Sequence, residues 1–450
     1  MGPLSAGCAG RHRPPLLQCA GMPTSYRESL DWLTATGSRG IRPGLDRVAA
    51  LLGHLGDPHA GLRGALIGGT NGKGSVCAMV EAACRAAGLR TLLLVKPHLR
   101  SYRERIVVDG RPVSPDEFAG LVERVRPAVE AVEGRVGAPT QFEILTVLGI
   151  LAAARHRPDV VVCEVGLGGR LDSTNVLDLG VAVVTTVAVD HADRLGGTIA
   201  EIAAEKAGII KAGNDVVTGA TGEALTVIRE RAAAVGAQRL LALGGEVRVT
   251  GRSLGLDGVE AEITVGEEHA VLQVPLIGLH QAENAAVALA TCAMLSGRGA
   301  ALDLETVRRG LATVSWPARL QWLPATPPLL VDGAHNPAAV TAIVPAVREV
   351  VGDRPLVALV GVMADKDVAG ILDALRPLAP VPVFTQAGTP RAARAVDLAR
   401  LWGHGARAIS SLPDALMAAR LLAGEEGVVL VCGSIYLAGD VLQLVDARED

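Results

Sequence analysis

Short, nearly uninterrupted apolar runs alternate along this chain with longer Ala- and Leu-rich stretches of mixed polarity. Residues 65–69, 91–95, 160–165 and 181–189 are such runs. A strand covered on both faces has no solvent side, so it reads as continuously apolar. These runs predict buried parallel strands, and residues 75–87, between the first two, predict a helix. The alternation argues for an α/β fold with right-handed crossovers.

From 239 to 275 the texture changes. Gly244-Gly245, Gly251-Arg252-Ser253, Asp257-Gly258 and Gly266-Glu267-Glu268 punctuate short alternating segments, which predict an antiparallel meander appended to the first sheet. Helical texture returns at 281–295 and 304–311. The Pro-rich stretch 317–328 reads as a linker. Beyond it, 329–332, 356–362, 381–385 and 428–431 are strand candidates with helices between them, predicting a second, smaller α/β domain from about residue 320.

The length of 450 residues fits two or three domains. A net charge of −4 argues against a phosphate-backbone binder, and an aromatic content of 2% leaves little for stacking on bases, so no nucleic-acid partner is expected. Seven scattered Cys without a C-x-x-C pair fit reduced thiols in a cytoplasmic protein. No apolar run of about 18 residues predicts a membrane span. Residues 1–22 carry Arg11, Arg13 and Pro14-Pro15 with no long apolar stretch. They predict a disordered tail, or a start set too early with Met22 as the first residue, in place of a signal peptide.

The strongest chemical signal is Gly68-Gly69-Thr70-Asn71-Gly72-Lys73-Gly74-Ser75, with a predicted strand before it and a predicted helix after it. Glycines let backbone N–H groups converge on phosphate oxygens, and a helix N-terminus adds positive potential. Lys73 can reach the β- and γ-phosphates, and Ser75 can offer its hydroxyl to Mg²⁺. The spacing departs from the common G-x-x-x-x-G-K-[ST] loop, which leaves a purely structural glycine turn open. Glu164 closes an apolar run, a usual place for a carboxylate reaching a nucleotide-bound Mg²⁺, and Gly166, Gly168 and Gly169 after it demand an unusual backbone. A solvent-facing Glu is the plainer alternative. By composition alone, His191 reads as a surface histidine, Lys206 as a solvated lysine, Asp332-Gly333 as an ordinary turn, and Asp365-Lys366-Asp367 as a charged strand-end loop.

The loop Gly69-Thr70-Asn71-Gly72-Lys73-Gly74-Ser75 resembles that of the Mur ligase superfamily, and most of all its folate branch of folylpolyglutamate and dihydrofolate synthases. Further matching segments follow in order: Pro97-His98-Leu99, Arg103 to Ile106, Pro139-Thr140, Phe142-Glu143, Glu164 to Asn175, Asp190-His191, Glu205 to Gly208, His280-Gln281 with Asn284, Trp316-Pro317 with Arg319, and Asp332 to Pro337. The resemblance implies a P-loop-containing, Mur-ligase-like central domain over 23–316 with a small antiparallel sheet, and a Rossmann-like glutamate-ligase domain over 320–450. It implies a monomer that uses ATP, one or two Mg²⁺ ions, with K⁺ as a further option, to join L-glutamate to folate or dihydropteroate through an acyl phosphate. Lys73, His191 and Lys206 are then catalytic. Ser75, Glu164, His191 and a carbamylated Lys206 hold metal. Gly69 to Ser75, Asn284, Arg319 and Asp332 hold nucleotide. Thr140, Leu171, Asp172 and Ser173 line the dihydropteroate site, and His335 the amino-acid pocket.

Three positions depart from the family's pattern. Lys96 replaces a metal-holding Ser, Ala318 a common Gly, and Arg42, before Pro43-Gly44-Leu45, an acidic residue of the dihydropteroate site. Lys96 is open to three readings: it points away, it contacts a phosphate, or it marks lost activity. A cell-wall Mur ligase and a degenerate ATP-binding homologue stay open as alternatives. A loop starting by residue 68 leaves little room for the extra N-terminal domain of the former.

Overall fold

The computed structural model describes residues 25–40, 42–190 and 192–446, so the expected tail over 1–22 lies outside the described residues. Eight strands build the first sheet: β1 (Gly64–Gly68), β2 (Thr91–Leu94), β3 (Ile106–Val108), β4 (Arg111–Pro112), β5 (Val160–Glu164), β6 (Gly180–Val184), β7 (Asp215–Thr218) and β8 (Arg239–Ala242). Their order is β4-β3-β2-β5-β1-β6-β7-β8. β2, β5, β1, β6, β7 and β8 run parallel, and β3 and β4 add an antiparallel edge. Successive residues of a strand face opposite sides. Accordingly Leu66 enters one core with Phe118 and Leu148, while Ala65 and Ile67 enter another with Met79 and Ala285.

The apolar run at 181–189 is strand only to Val184. Thr185 and Thr186 then turn their hydroxyls to the Asn71 carbonyl (2.7 and 3.2 Å), and Val189 is exposed. The antiparallel meander is present as β9 (Val247–Ser253), β10 (Val259–Val265) and β11 (Glu268–Val274), while residues 239–242 join the parallel sheet as β8. The small sheet buries Val259, Ala261, Ile263 and Leu272 in the same core as the His280–Gly297 helix, so it is attached through side chains.

The second α/β unit has β12 (Gln321–Leu323), β13 (Leu329–Val331), β14 (Leu356–Val360), β15 (Val381–Phe384), β16 (Arg407–Ala408) and β17 (Val428–Cys432), ordered β12-β13-β17-β14-β15-β16. The stretch read as a linker supplies β12, antiparallel to β13 at the sheet edge. Prolines fit there because an edge strand has spare N–H positions. Both faces of this sheet are covered, by separate cores around Phe384 and Leu359. Among the described residues no helix is long and apolar enough to cross a membrane.

The carboxyl ends of both parallel sheets line one cleft of about 870 Å³, which places Gly69, Lys96 and Glu164 opposite Asp332, Lys366 and Ser434. Open α/β sheets present ligand sites at these strand ends. The His280–Gly297 helix spans from this cleft to the far end of the first sheet. There Arg298, just past its C-terminus, donates to Asp215 Oδ2 (2.6 Å), and Arg239 donates to both Asp215 oxygens (2.9 and 3.0 Å). Burial alone would raise the Asp215 carboxyl, but the two guanidiniums hold it below the usual carboxylate range. Arg298→Ala is expected to cost about 2 kcal/mol at neutral pH, less than for a fully broken buried pair because Arg239 remains. A depressed carboxyl pKa stabilises above its unfolded value and loses that contribution as pH falls through the folded one. Urea unfolding should therefore show the wild-type advantage shrinking below about pH 4.

Candidate active site

β1 leads straight into the glycine loop. Gly69 has φ 135° and Gly72 φ 84°, a region L side chains avoid. A Cβ on Gly69 would lie 1.9 Å from Thr185 Oγ1, and one on Gly72 would lie 2.4 Å from Asn284 Oδ1. Gly72 is the N-cap of the Lys73–Ala86 helix and offers no side chain to it. Among the described residues, the N–H groups of Lys73, Gly74 and Ser75 therefore have no backbone acceptor. Three convergent amides at a helix start make an anion site. Thr70 N–H donates to Thr186 O (2.6 Å) and Asn71 N–H to Thr186 Oγ1 (3.1 Å), which fixes the loop against the end of β6. Lys73 Nζ bends back to the carbonyls of Gly69 (3.1 Å) and Thr70 (2.8 Å). Burial lowers its pKa, and Glu164 and Asp190 oppose that shift.

β1 and β5 pair with Ile67 beside Glu164, so the register sets this carboxylate two residues before Gly69 on the neighbouring strand. Glu164 Oε2 accepts from Lys96 N–H (2.8 Å), and burial raises the carboxyl against the pull of Lys73. Lys206, read from composition as solvated, is buried. The Ile199–Ala207 helix turns Ile202, Ala203, Lys206 and Ala207 inward, and Lys206 Nζ donates to Gly69 O (3.0 Å). Lys73 and Lys206 thus converge on one carbonyl. Burial first, and Lys73 second, bring the Lys206 pKa down to about 7. His191 lies outside the described residues. Among those described, no cluster of three His, Cys, Asp or Glu could hold a metal. A divalent ion here would rely on Glu164, the Ser75 hydroxyl and nucleotide oxygens, a hard-oxygen set that suits Mg²⁺.

Across the cleft floor, Lys96 Nζ donates to Thr146 Oγ1 (3.2 Å) and sits 3.9 Å from the centroid of the Phe142 ring, both on the Gln141–His156 helix. Burial lowers its pKa, and Asp172 opposes. Ser173 Oγ lies 2.6 Å from Thr146 Oγ1. Asp172 Oδ2 accepts from the N–H groups of Gly166 and Leu167, and Oδ1 from Thr174 N–H and Oγ1, so this carboxylate holds the glycine turn after β5. Thr140 is the N-cap of the helix: its hydroxyl donates to Glu143 Oε2 (2.9 Å), and Arg47 in turn clamps Glu143. Both residues line the cleft, yet their polar atoms already serve the fold. Leu171 is 37% exposed there, beside Pro43 and Phe142, an apolar wall for a flat ring.

The opposite wall comes from the second unit. Asp332 accepts from Leu320 N–H (2.8 Å) and Ala334 N–H (2.7 Å), and burial raises its carboxyl. It braces the Arg319 turn, where Ala318 (φ 55°) and Leu320 (φ 44°) are left-handed, which explains why glycine suits position 318. Arg319 and Asn284 line the cleft near the loop. His335 Nδ1 donates to Gly333 O (2.9 Å), and burial drops its pKa to about 4, so it is neutral at neutral pH with Nε2 3.9 Å from Asp190.

Residues 67–292 match the Mur ligase middle domain, and residues 318–435 match the Mur ligase, glutamate ligase domain. The dihydrofolate synthase/folylpolyglutamate synthase of Bacillus subtilis is 33% identical over 426 residues, 93% of this chain and 98% of that relative. This chain belongs to the folylpolyglutamate synthase/dihydrofolate synthase branch of the Mur ligases. Escherichia coli FolC, solved in complex with DHPP and ADP, has a TM-score of 0.85 and 31% identity, covering 97% of this chain and 100% of that one. The bifunctional enzyme of Yersinia pestis, complexed with AMPPNP and Mn ion, has a TM-score of 0.83 and 33% identity, covering 95% and 100%.

Several cleft residues of this Mur ligase carried no assigned role from sequence: Arg105, Phe142, Asp190, Asn336 and Lys366. The first four lie within the matching segments and Lys366 lies outside them, and no spacing rule distinguishes any of them from ordinary surface residues. Gly69→Ala is expected to lower stability by at least about 2 kcal/mol, from strained φ and collision with buried Thr185. Thermal unfolding of the ligand-free protein measures it.

Proposed function

We propose that this Mur ligase adds L-glutamate to folates at the expense of ATP, and likewise to dihydropteroate. The observation that carries the reading is the uncapped start of the Lys73–Ala86 helix, with Glu164 beside it, facing a second domain across the cleft. The γ-phosphoryl group passes to the acceptor's carboxylate: an oxygen attacks phosphorus, the bond to the bridging oxygen breaks, and ADP leaves. The glutamate nitrogen then attacks the acyl carbon, loses a proton and expels phosphate. Lys73, Arg319 and the amides of residues 73–75 neutralise and orient the phosphates, which is the main catalytic demand of phosphoryl transfer. Mg²⁺, held by Ser75 and Glu164, supplies charge neutralisation when bound. His191 belongs to the same proposed metal set, K⁺ to the cations it admits. His335 lines the amino-acid pocket, Leu171 and Ser173 the pterin pocket, and Thr140 and Asp172 shape that pocket through the backbone they hold.

The same reading places the ATP-binding domain at 23–316 and the glutamate-ligase domain at 320–450, in a monomeric cytoplasmic protein. Its test is ADP release that requires glutamate together with tetrahydrofolate or dihydropteroate, with UDP-linked peptide precursors as the control. Glutamate-dependent turnover with neither pterin overturns it.

Lys206 is proposed to be carbamylated: its neutral amine attacks CO₂, loses one proton and becomes a carboxylate-like ligand. A pKa of about 7 makes roughly half the amine neutral at pH 7, where an ordinary lysine is almost wholly charged. Lys206→Ala is expected to reduce turnover about 100-fold or more. In CO₂-depleted buffer the wild type should lose activity most steeply below pH 7, where the amine is protonated, and added bicarbonate should restore it. A fully active Lys206→Ala enzyme rules the carbamate out.

A further inference from the structure

Two residues of the first domain and two of the second meet across the cleft in one bonded set. Asn71, inside the phosphate loop, and Asn336 exchange amide bonds in both directions: Asn336 Nδ2 to Asn71 Oδ1 at 3.0 Å and Asn71 Nδ2 to Asn336 Oδ1 at 3.3 Å. Asn336 Nδ2 also donates to Asp190 Oδ2 (3.2 Å), and its Oδ1 accepts from Ala339 N–H (2.8 Å) as the N-cap of the Pro337–Val351 helix. Asp190 Oδ1 accepts from Lys366 Nζ at 2.7 Å, and both side chains are nearly buried, at 11% and 7% exposure.

A carboxamide has two donor hydrogens and two acceptor lone pairs. Asn336, itself 2% exposed, uses all four. A buried polar network satisfied this completely favours one geometry over its neighbours. The Asn71 backbone is pinned on its own side, its carbonyl by the Thr185 and Thr186 hydroxyls and its N–H by Thr186. The Asn71 side chain therefore ties the position of the second domain directly to the phosphate loop. Two further bonds between the domains, Arg100 to Asp446 and Gln443 to the Arg100 carbonyl, are solvent-exposed and touch no loop residue.

We infer that Asn71, Asp190, Asn336 and Lys366 form a closure lock that holds the second domain over the phosphate loop and couples acyl-phosphate formation to amide formation. The inference rests on the proposed ligase reading. An acyl phosphate left open to solvent is lost: water attacks the acyl carbon, phosphate leaves and the carboxylate returns, so ATP is spent without an amide. Closure keeps water out until the amine arrives. These side chains are positioning residues.

The test is the number of ADP released per amide formed, read together with solution scattering of the nucleotide-bound protein. Asn336→Ser keeps an N-cap oxygen but cannot span to Asn71; Lys366→Met removes the ion pair, and Lys366→Arg retains it. The first two should raise the ADP-to-amide ratio about three- to tenfold and increase the radius of gyration, while ATP affinity changes less than about twofold. Lys366→Arg should stay near the wild-type ratio. A ratio of one and unchanged scattering in Asn336→Ser overturn the lock, as does uncoupling by Lys366→Met alone, which would mark a direct role for that ammonium. Absent wild-type turnover with either pterin would count against the ligase reading instead, and the scattering would still decide whether the lock exists.

Discussion

Among the described residues, three amide groups at the start of the Lys73–Ala86 helix find no acceptor, and much of the site is organised around that deficit. A helix start is normally relieved by a capping side chain. Here the cap is Gly72, in a left-handed conformation against Asn284, and Gly69 fits against Thr185 only because it lacks a Cβ. The amides stay exposed to the cleft and so stay available to phosphate. Lys73 and Lys206 crowd the same positive region and share one carbonyl, which makes the ligand-free site electrostatically costly. A polyanion relieves all of this at once. The lowered pKa of Lys206, set by burial and by Lys73, is the condition that the proposed carbamylation requires.

Sheet register then determines what stands around the loop. Parallel pairing of β1 with β5 delivers Glu164, and pairing with β6 delivers Thr185 and Thr186 at the height where β1 turns. The second sheet repeats the device from the other side, bringing Asp332, Lys366 and Ser434 to its own carboxyl ends. Neither half makes a complete site. The first holds the uncapped helix start with Glu164 and Lys206, and the second the residues that face it across the cleft.

Much of the fold was legible because continuous apolar runs mark strands buried on both faces. The boundary errors have local causes. Val187 and Val189 continued an apolar run, but Thr185 and Thr186 were already committed to the loop carbonyls. The prolines around 317–328 suggested a linker, yet an edge strand tolerates them, and Gln321–Leu323 pairs with β13. In the site, the loop was legible from its glycines, because backbone geometry dictates residue type. Lys206 was not, because its burial depends on how a short helix packs on Gly69. Asn336 and Lys366 were invisible for the same reason: their partners lie 265 and 176 residues away.

Lys96 shows how far one substitution can be followed. An ammonium cannot donate a lone pair to a metal, so a lysine where the family resemblance implies a metal-holding hydroxyl offers no ligand there. The side chain leaves Glu164 to its backbone N–H and lies over Phe142 and against Thr146. An ammonium over an aromatic face is held by the ring quadrupole and loses less on desolvation than it would among alkyl groups. Arg105 stands close enough to oppose its charge, and Asp172, the carboxylate that favours it most, also accepts from backbone donors. Lys96 and Arg105 thus set two basic side chains on the cleft wall beside Glu164, with burial working against the Lys96 charge and Asp172 and Glu164 favouring it. On this electrostatic balance the substitution changes how the cleft carries its positive charge and leaves the phosphate loop untouched.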